Sequence, residues 1–255
     1  MCSVIILRRP EHERWPLLLG ANRDELATRA TAPPDRHWDD RPDVVAGLDL
    51  GAGGSWLGLN DFGVIAAVLN RQGTLGPEAG KRSRGELVLE ALDHADAEAA
   101  AAALAHLDPG AYRPFNLIVA DAAEAFWVRH AGDGMVRSVA LEPGVAMLTA
   151  RELNDAQSPR VRRYLPLFRT AEPPDPDRDD WSSWQLLLAA TASETGDPRD
   201  AMCIRTDGAY GTVSSSLLAL PPLPTGAPVW LYAGGPPDDT AFAPIPVRRR
   251  PPALR

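Results

Sequence analysis

A chain of 255 residues, 45% of them apolar and 24% charged, is long enough to bury a sizeable core and has the balance of an ordinary globular protein. Its formal net charge of -8 argues against a general nucleic-acid binder, which needs a basic face to neutralise phosphates. No apolar run approaches the roughly 20 residues of a membrane-spanning helix, and two cysteines, Cys2 and Cys203, make no disulfide framework and fit a reducing, cytoplasmic compartment.

The first apolar run, Ser3–Arg9, reads as a strand, and Pro16–Gly20 as a second after a polar turn. Val44–Leu48, Ser55–Leu59 and Phe62–Asn70 follow as strands with glycine-rich punctuation, and Asn60-Asp61-Phe62-Gly63 has the composition of a hairpin connection. Ser83-Arg84-Gly85-Glu86 has the spacing of a capping box, in which serine and glutamate satisfy opposite orphan amides, so a helix is predicted to start there. Asp96 is the expected cap of a second helix over Ala97–Leu107, stopped by Asp108-Pro109-Gly110. Phe115–Ala120, Ala125–Arg129, Met135–Leu141 and Val145–Thr149 return to strand. Ser158–Thr170 and Trp181–Ser193 read as helices joined by the Pro/Asp-rich Glu172–Asp180, and Ala201–Arg205, Thr212–Leu220 and Val229–Ala233 close the chain as strands.

Short links between consecutive strands favour antiparallel sheets, and helices grouped in pairs favour outer layers over alternating crossovers. The order predicts an α+β protein, a four-layer α/β/β/α sandwich in one domain over residues 1–247. Arg248-Arg249-Arg250-Pro251-Pro252 opens a basic tail over 248–255, expected to be disordered and solvated.

Cys2 directly follows the initiator methionine. Removal of Met1, which aminopeptidases carry out before a small residue, leaves Cys2 with a free α-amine beside its thiol. That amine, with a reference pKa of about 7.7–8.0, is partly neutral near pH 7 and able to take the thiol proton. Nucleophile and base then share one residue. The plain alternative is a small residue at the start of a strand.

Other features carry less. The histidines at positions 12, 37, 94, 106 and 130 have no metal-ligand spacing, and Asp175–Asp180 lacks the glycine and terminal glutamate of an EF-hand, so no metal is expected. Gly51, Gly53 and Gly54 form no dinucleotide fingerprint and instead suit a tight turn or a close backbone approach. Cys203, inside an apolar run, reads as an inert buried thiol. The tryptophans, including Trp38, Trp56, Trp127 and Trp230, suit either core packing or an apolar pocket wall.

Asn22-Arg23-Asp24-Glu25, after Leu18-Leu19-Gly20-Ala21, resembles the signature of the NRDE family of transport and Golgi organisation type. Gly47-Leu48-Asp49, Gly53-Gly54-Ser55-Trp56-Leu57-Gly58, Arg84-Gly85-Glu86-Leu87-Val88, Phe115–Asp121 and Tyr210-Gly211-Thr212 resemble further segments of that family, in the same order. The resemblance implies a fold like that of N-terminal nucleophile hydrolases, which is the sandwich the element order predicts. It also implies kinship with choloylglycine hydrolases and penicillin V acylases, which cleave amides with an N-terminal cysteine.

The glycine-x-asparagine-x-aspartate run of those hydrolases is similar to Gly20-Ala21-Asn22-Arg23-Asp24, which implies that Asp24 is the carboxylate beside the Cys2 amine and thiol. Their oxyanion asparagine, at a strand end after an asparagine-containing turn, is similar to Asn70. Asn22, Arg23 and Trp56 are the candidate substrate-binding residues. The chain departs from the hydrolases at Ala21 and Val213, where they carry arginines, and at Ala150, where they carry an asparagine. Arg23 is the candidate replacement charge, although strand alternation turns it to the opposite face from Asn22 and Asp24.

Two readings follow. The first is an amidohydrolase or acyltransferase acting on a small-molecule, non-peptide C–N amide, needing no cofactor. The second is a carrier of haem, lipid or acyl-coenzyme A in the same cleft, a connection implied by the resemblance, with Cys2 or a histidine as the candidate ligand to haem iron.

Overall fold

The computed structural model describes residues 2–222 and 225–247. The chain runs β1 (Ser3–Arg8), β2 (Leu17–Leu26), β3 (Thr31–Asp35), β4 (Val44–Asp49), β5 (Leu57–Asn60) and β6 (Ile65–Asn70). Helices α1 (Gly85–Leu92) and α2 (Ala97–Leu104) come next, then β7 (Phe115–Ala120), β8 (Ala125–His130), β9 (Val136–Ala140) and β10 (Gly144–Leu148). Helices α3 (Pro159–Thr170) and α4 (Ser182–Leu188) precede β11 (Tyr210–Leu220), β12 (Val229–Ala233) and the short β13 (Ala243–Pro244).

The strands form two antiparallel sheets, one ordered β10-β1-β2-β11-β12-β13 and the other β3-β4-β5-β6-β7-β8-β9. Period-two alternation then sorts the side chains into layers. Val4 and Ile6 of β1, Leu17 and Leu19 of β2, and Ile65, Ala67 and Leu69 of β6 meet in one core between the sheets. Ile5, Leu7 and Leu18 turn the other way onto Tyr164, Phe168 and Trp184 of α3 and α4. Val44, Ala46 and Ala66 likewise pack on Leu87, Leu92 and Leu104 of α1 and α2. The result is the α/β/β/α sandwich expected from the element order.

Several elements differ from the sequence reading. β2 does not end at Gly20 but runs through the whole of Asn22-Arg23-Asp24-Glu25, because polar partners elsewhere in the fold satisfy its polar residues. β3 escapes a propensity reading because it contains Pro33 and Pro34; it lies at a sheet edge and its register shifts between Ala32 and Asp35. Ala201–Arg205 is buried through Ile204 but irregular: Cys203 N–H bonds the Ala190 carbonyl and Ile204 N–H the Thr212 hydroxyl, so it ladders with no strand. The helices over 97–107 and 181–193 are shorter than predicted, ending at Leu104 and Leu188.

The capping signals divide. Asp96 accepts the Ala99 amide at 2.7 Å, as expected. The Ser83/Glu86 box does not form: Ser83 Oγ accepts from Gly85 N–H, and Glu86 pairs with Arg82, a charged partner stronger than an amide. The tail over 248–255, and Met1, lie outside the described residues.

Candidate functional site

Ser3 pairs with Asn22 across the β1–β2 ladder, so continuing the register sets Cys2 opposite Arg23. Alternation in β2 then divides the tetrad. Arg23 faces the space between the sheets, its guanidinium carbon 4.4 Å from the Trp56 ring centroid. Asn22 and Asp24 face the α3/α4 layer, where the Asn22 amide donates to the Leu188 and Met202 carbonyls at 2.9 Å each. Arg23 and Glu25 are thus the tetrad residues on the cleft side, beside Cys2.

Asp24 sits in a built polar web. Its Oδ1 accepts the Thr212 hydroxyl at 2.7 Å and its Oδ2 accepts Arg160 Nη1 at 2.9 Å. Arg160 Nη1 also donates to Ser3 Oγ at 2.7 Å, and Nη2 to the Arg199 carbonyl at 2.6 Å. The arginine and aspartate side chains are 3% and 0% exposed. A buried ion pair of this kind is tolerable only because its remaining donors and acceptors are satisfied. Thr212 reaches Asp24 through a bulge: Thr212 opposes Asp24 and Ser214 opposes Arg23, with Val213 inserted between them.

Arg160 has no counterpart in the sequence reading. It is the second residue of α3, after the cap Ser158 and Pro159, where a cation runs against the helix dipole. That misplacement is the one signal in the sequence that it serves another element. It brings a guanidinium to Asp24 from the helical layer, whereas Ala21 contributes only a methyl group to the inter-sheet core.

Cys2 is half-buried against the inter-sheet core, its Sγ 3.8 Å from the Asp24 backbone oxygen. Burial, and then the Asp24 carboxylate, push its thiol above the ordinary thiol value, with Arg23 pulling the other way. Cys2, Arg23, Trp56 and Asn70, the last residue of β6, all border a cleft of ≈ 580 Å³. A narrow apolar slot of ≈ 20 Å³ continues from Cys2 and Trp56 between the sheets, toward Leu57 and Leu69.

The glycine-bearing segments explain how this wall is mounted. A Cβ at Gly47 would lie 2.3 Å from the Trp56 ring, and one at Gly54 would lie 2.5 Å from the Gly85 backbone. Only hydrogen fits at either place. The bond from Ser55 N–H to the Gly85 carbonyl at 3.0 Å then fixes the start of α1, with Arg84 before it, on the cleft rim. Tyr210-Gly211-Thr212 serves Asp24 instead, the tyrosine hydroxyl donating to its carbonyl at 3.4 Å. Asn116 of β7 is structural, bridging Thr149, Arg151, Trp127 and Arg71.

Among the described residues no group of three histidine, cysteine or acidic side chains is placed to hold a metal, and no histidine borders the cleft. Cys203 is buried as expected, its thiol pushed up to about 12 by burial and by its bond to Asp238.

A family model described as Transport and Golgi organisation 2 matches residues 1–221. The human Transport and Golgi organization protein 2 homolog is 35% identical over 115 residues, covering 44% of this chain and 41% of that protein. The bovine homolog is 39% identical over 115 residues, covering 42% and 39%. The matched segment thus spans about two fifths of those relatives' length. Among solved structures, the Caenorhabditis elegans ortholog of N-acylethanolamine-hydrolyzing acid amidase superposes with a TM-score of 0.58 at 15% identity, covering 88% of this chain and 94% of that one. The R18L variant of conjugated bile acid hydrolase from Clostridium perfringens superposes with a TM-score of 0.54 at 13% identity, covering 97% and 98%. These likenesses show a shared fold, that of N-terminal nucleophile hydrolases. No helix among the described residues is long and apolar enough to cross a membrane.

Proposed function

The chain belongs to the Transport and Golgi organisation 2 family, and we propose that it is an amidohydrolase or acyltransferase whose nucleophile is Cys2, freed as the N-terminal residue by removal of Met1. Its substrate is a small molecule with a non-peptide C–N amide. The observation that carries this reading is the contact of the Cys2 thiol, on the cleft wall, with the backbone oxygen of Asp24, whose carboxylate is clamped by Thr212 and Arg160 on the other side of the same ribbon.

The chemistry runs in two halves. The Cys2 α-amine takes the thiol proton while the sulfur attacks the carbonyl carbon; a C–S bond forms and the carbonyl electron pair moves to oxygen. The Asn70 amide donates to that oxyanion. Collapse breaks the C–N bond, and the α-ammonium returns its proton to the departing amine. Water, deprotonated by the same α-amine, then attacks the thioester carbonyl, releasing the acid and restoring the thiol. An acceptor amine or alcohol in place of water makes the same intermediate a transferase. Asp24, held rigid by its web, orients the terminal ammonium.

A carrier of haem, lipid or acyl-coenzyme A is the second reading, supported by the ≈ 580 Å³ of cleft and, for the lipid and acyl-coenzyme A forms, by a thiol whose surroundings favour its protonated form. One experiment separates the two. The protein is expressed without an N-terminal tag, its intact mass is measured, and N-acyl amides are screened against wild type and Cys2→Ser. The hydrolase reading expects loss of Met1 and turnover abolished in Cys2→Ser. Full retention of Met1, or turnover that survives Cys2→Ser, overturns it.

A further inference from the structure

The cleft beside Cys2 is cationic in a protein of net charge -8. Some of its basic residues are already neutralised: Arg29 lies 2.6 Å from Asp49, and Arg82 lies 2.6 and 2.7 Å from Glu86 and Glu90. Others are not. Arg84 Nη1 bonds the Thr74 hydroxyl at 2.9 Å and the Pro114 carbonyl at 3.1 Å, and Nη2 reaches the Gly76 carbonyl at 3.4 Å, so all its partners are neutral. Among the described residues Lys81 Nζ bonds only the Gly110 carbonyl, at 2.5 Å. Arg23, 7% exposed, rests on Trp56 and makes no ion pair among the described residues.

These charges also oppose one another. Burial, and then repulsion from the nearby Arg113, pulls the Arg84 guanidinium down to about 10, with Cys2 and Glu25 as the groups that oppose the fall. Arg113 in turn carries one carboxylate contact, its Nε 3.4 Å from Glu78. Arg84 is partly buried and makes no ion pair among the described residues, and Glu25 offsets the repulsion from Arg113 only in part, so an anion arriving beside these cations is favoured. Guanidinium groups present the paired donors that suit phosphate and carboxylate oxygens.

We propose that this end of the cleft is a subsite for an oxyanion, the phosphate or carboxylate head of the molecule whose reactive part lies at Cys2, with Arg84 as its principal ligand and Arg23 and Lys81 beside it. The subsite deepens the reading of the Cys2 cleft, and the head's role as part of a substrate rests on that reading. Its occupancy does not, because binding needs no turnover.

The test is calorimetric titration of inorganic pyrophosphate and of succinate into the full chain, as wild type, Cys2→Ser, Arg84→Gln and Lys81→Ala. Wild type and Cys2→Ser are expected to bind one of the two anions equally well. Arg84→Gln is expected to weaken that binding by about tenfold or more, since charge-assisted guanidinium bonds are among the strongest polar contacts. Binding of pyrophosphate alone assigns a phosphate head, and of succinate alone a carboxylate. Arg84 also braces the 74–76 loop, so a folded Lys81→Ala with weaker binding keeps the proposal testable should Arg84→Gln fail to fold. No binding of either anion at millimolar concentration, or binding indifferent to both substitutions, overturns the proposal. Failure of amide turnover with anion binding intact sinks the hydrolase reading alone.

Discussion

Gly47 and Trp56 are in direct contact on the sheet that forms one wall of the cleft, and a Cβ at Gly47 would lie 2.3 Å from Cζ2 of the indole. The same indole supports the Arg23 guanidinium. Gly47→Ala therefore has to displace the ring and, with it, the cation. Overpacking of this kind costs about 1–3 kcal/mol, and urea denaturation is expected to show the midpoint falling with the slope unchanged. A midpoint equal to wild type contradicts the packing.

Breaking the buried pair from either side is expected to be severe. Asp24→Asn and Arg160→Met each strand a charge that is almost wholly enclosed, at a cost of about 3–5 kcal/mol apiece. The double variant removes both charges together, so its loss is expected to be well short of the sum. A double-mutant cycle measures this directly, and simple additivity would mean the two side chains are not coupled.

The Cys2 thiol supplies a pH prediction. With burial and Asp24 raising its pKa, the folded chain binds the thiol proton more tightly than the unfolded chain does. The associated stability is present below the ordinary thiol value and is lost as pH rises through the folded one. Iodoacetamide labelling of Cys2 is therefore expected to accelerate only above the range of a free thiol, and Asp24→Asn to shift the profile to lower pH. Removing Met1 places an ammonium on the same residue and is expected to shift it down as well. A profile that ignores both changes argues against the Asp24 contact.

Asn70 ends β6 at the cleft, half-buried, so truncation leaves no sealed polar group behind. Asn70→Ala is expected to lower kcat on an amide substrate by about 10²–10³-fold with little change in KM, the pattern of a donor used in the transition state. A change confined to KM would make Asn70 a binding residue instead.

The sandwich was legible because its apolar alternation is local: Ser3–Arg8 and Phe115–Ala120 announce themselves within a few residues. The polar end of β2 was not, since the partners that allow Asn22 and Asp24 to be buried lie 166 and 136 residues further along the chain. The Ser83/Glu86 spacing misled for a related reason, because Arg82 competes for the glutamate across one turn. At the site, the place directly after Met1 pointed to Cys2, and the resemblance to choloylglycine hydrolases and penicillin V acylases to Asp24 and Asn70. Neither pointed to Arg160, which arrives from a helix in another layer.

The β1–β2–β11 ribbon has two sides with separate duties. Cys2, Arg23 and Ser214 border the slot between the sheets, whereas under the helices Arg160 meets Ser3 and Asp24, and Asp24 meets Thr212. The first set faces the slot, while the electrostatic setting of Cys2 depends in part on Asp24 behind it. Change behind the ribbon can therefore retune reactivity without altering what is admitted, whereas change at Arg23, in front of it, alters both. The rear face is thus the place where the thiol can be tuned with the entrance left as it is.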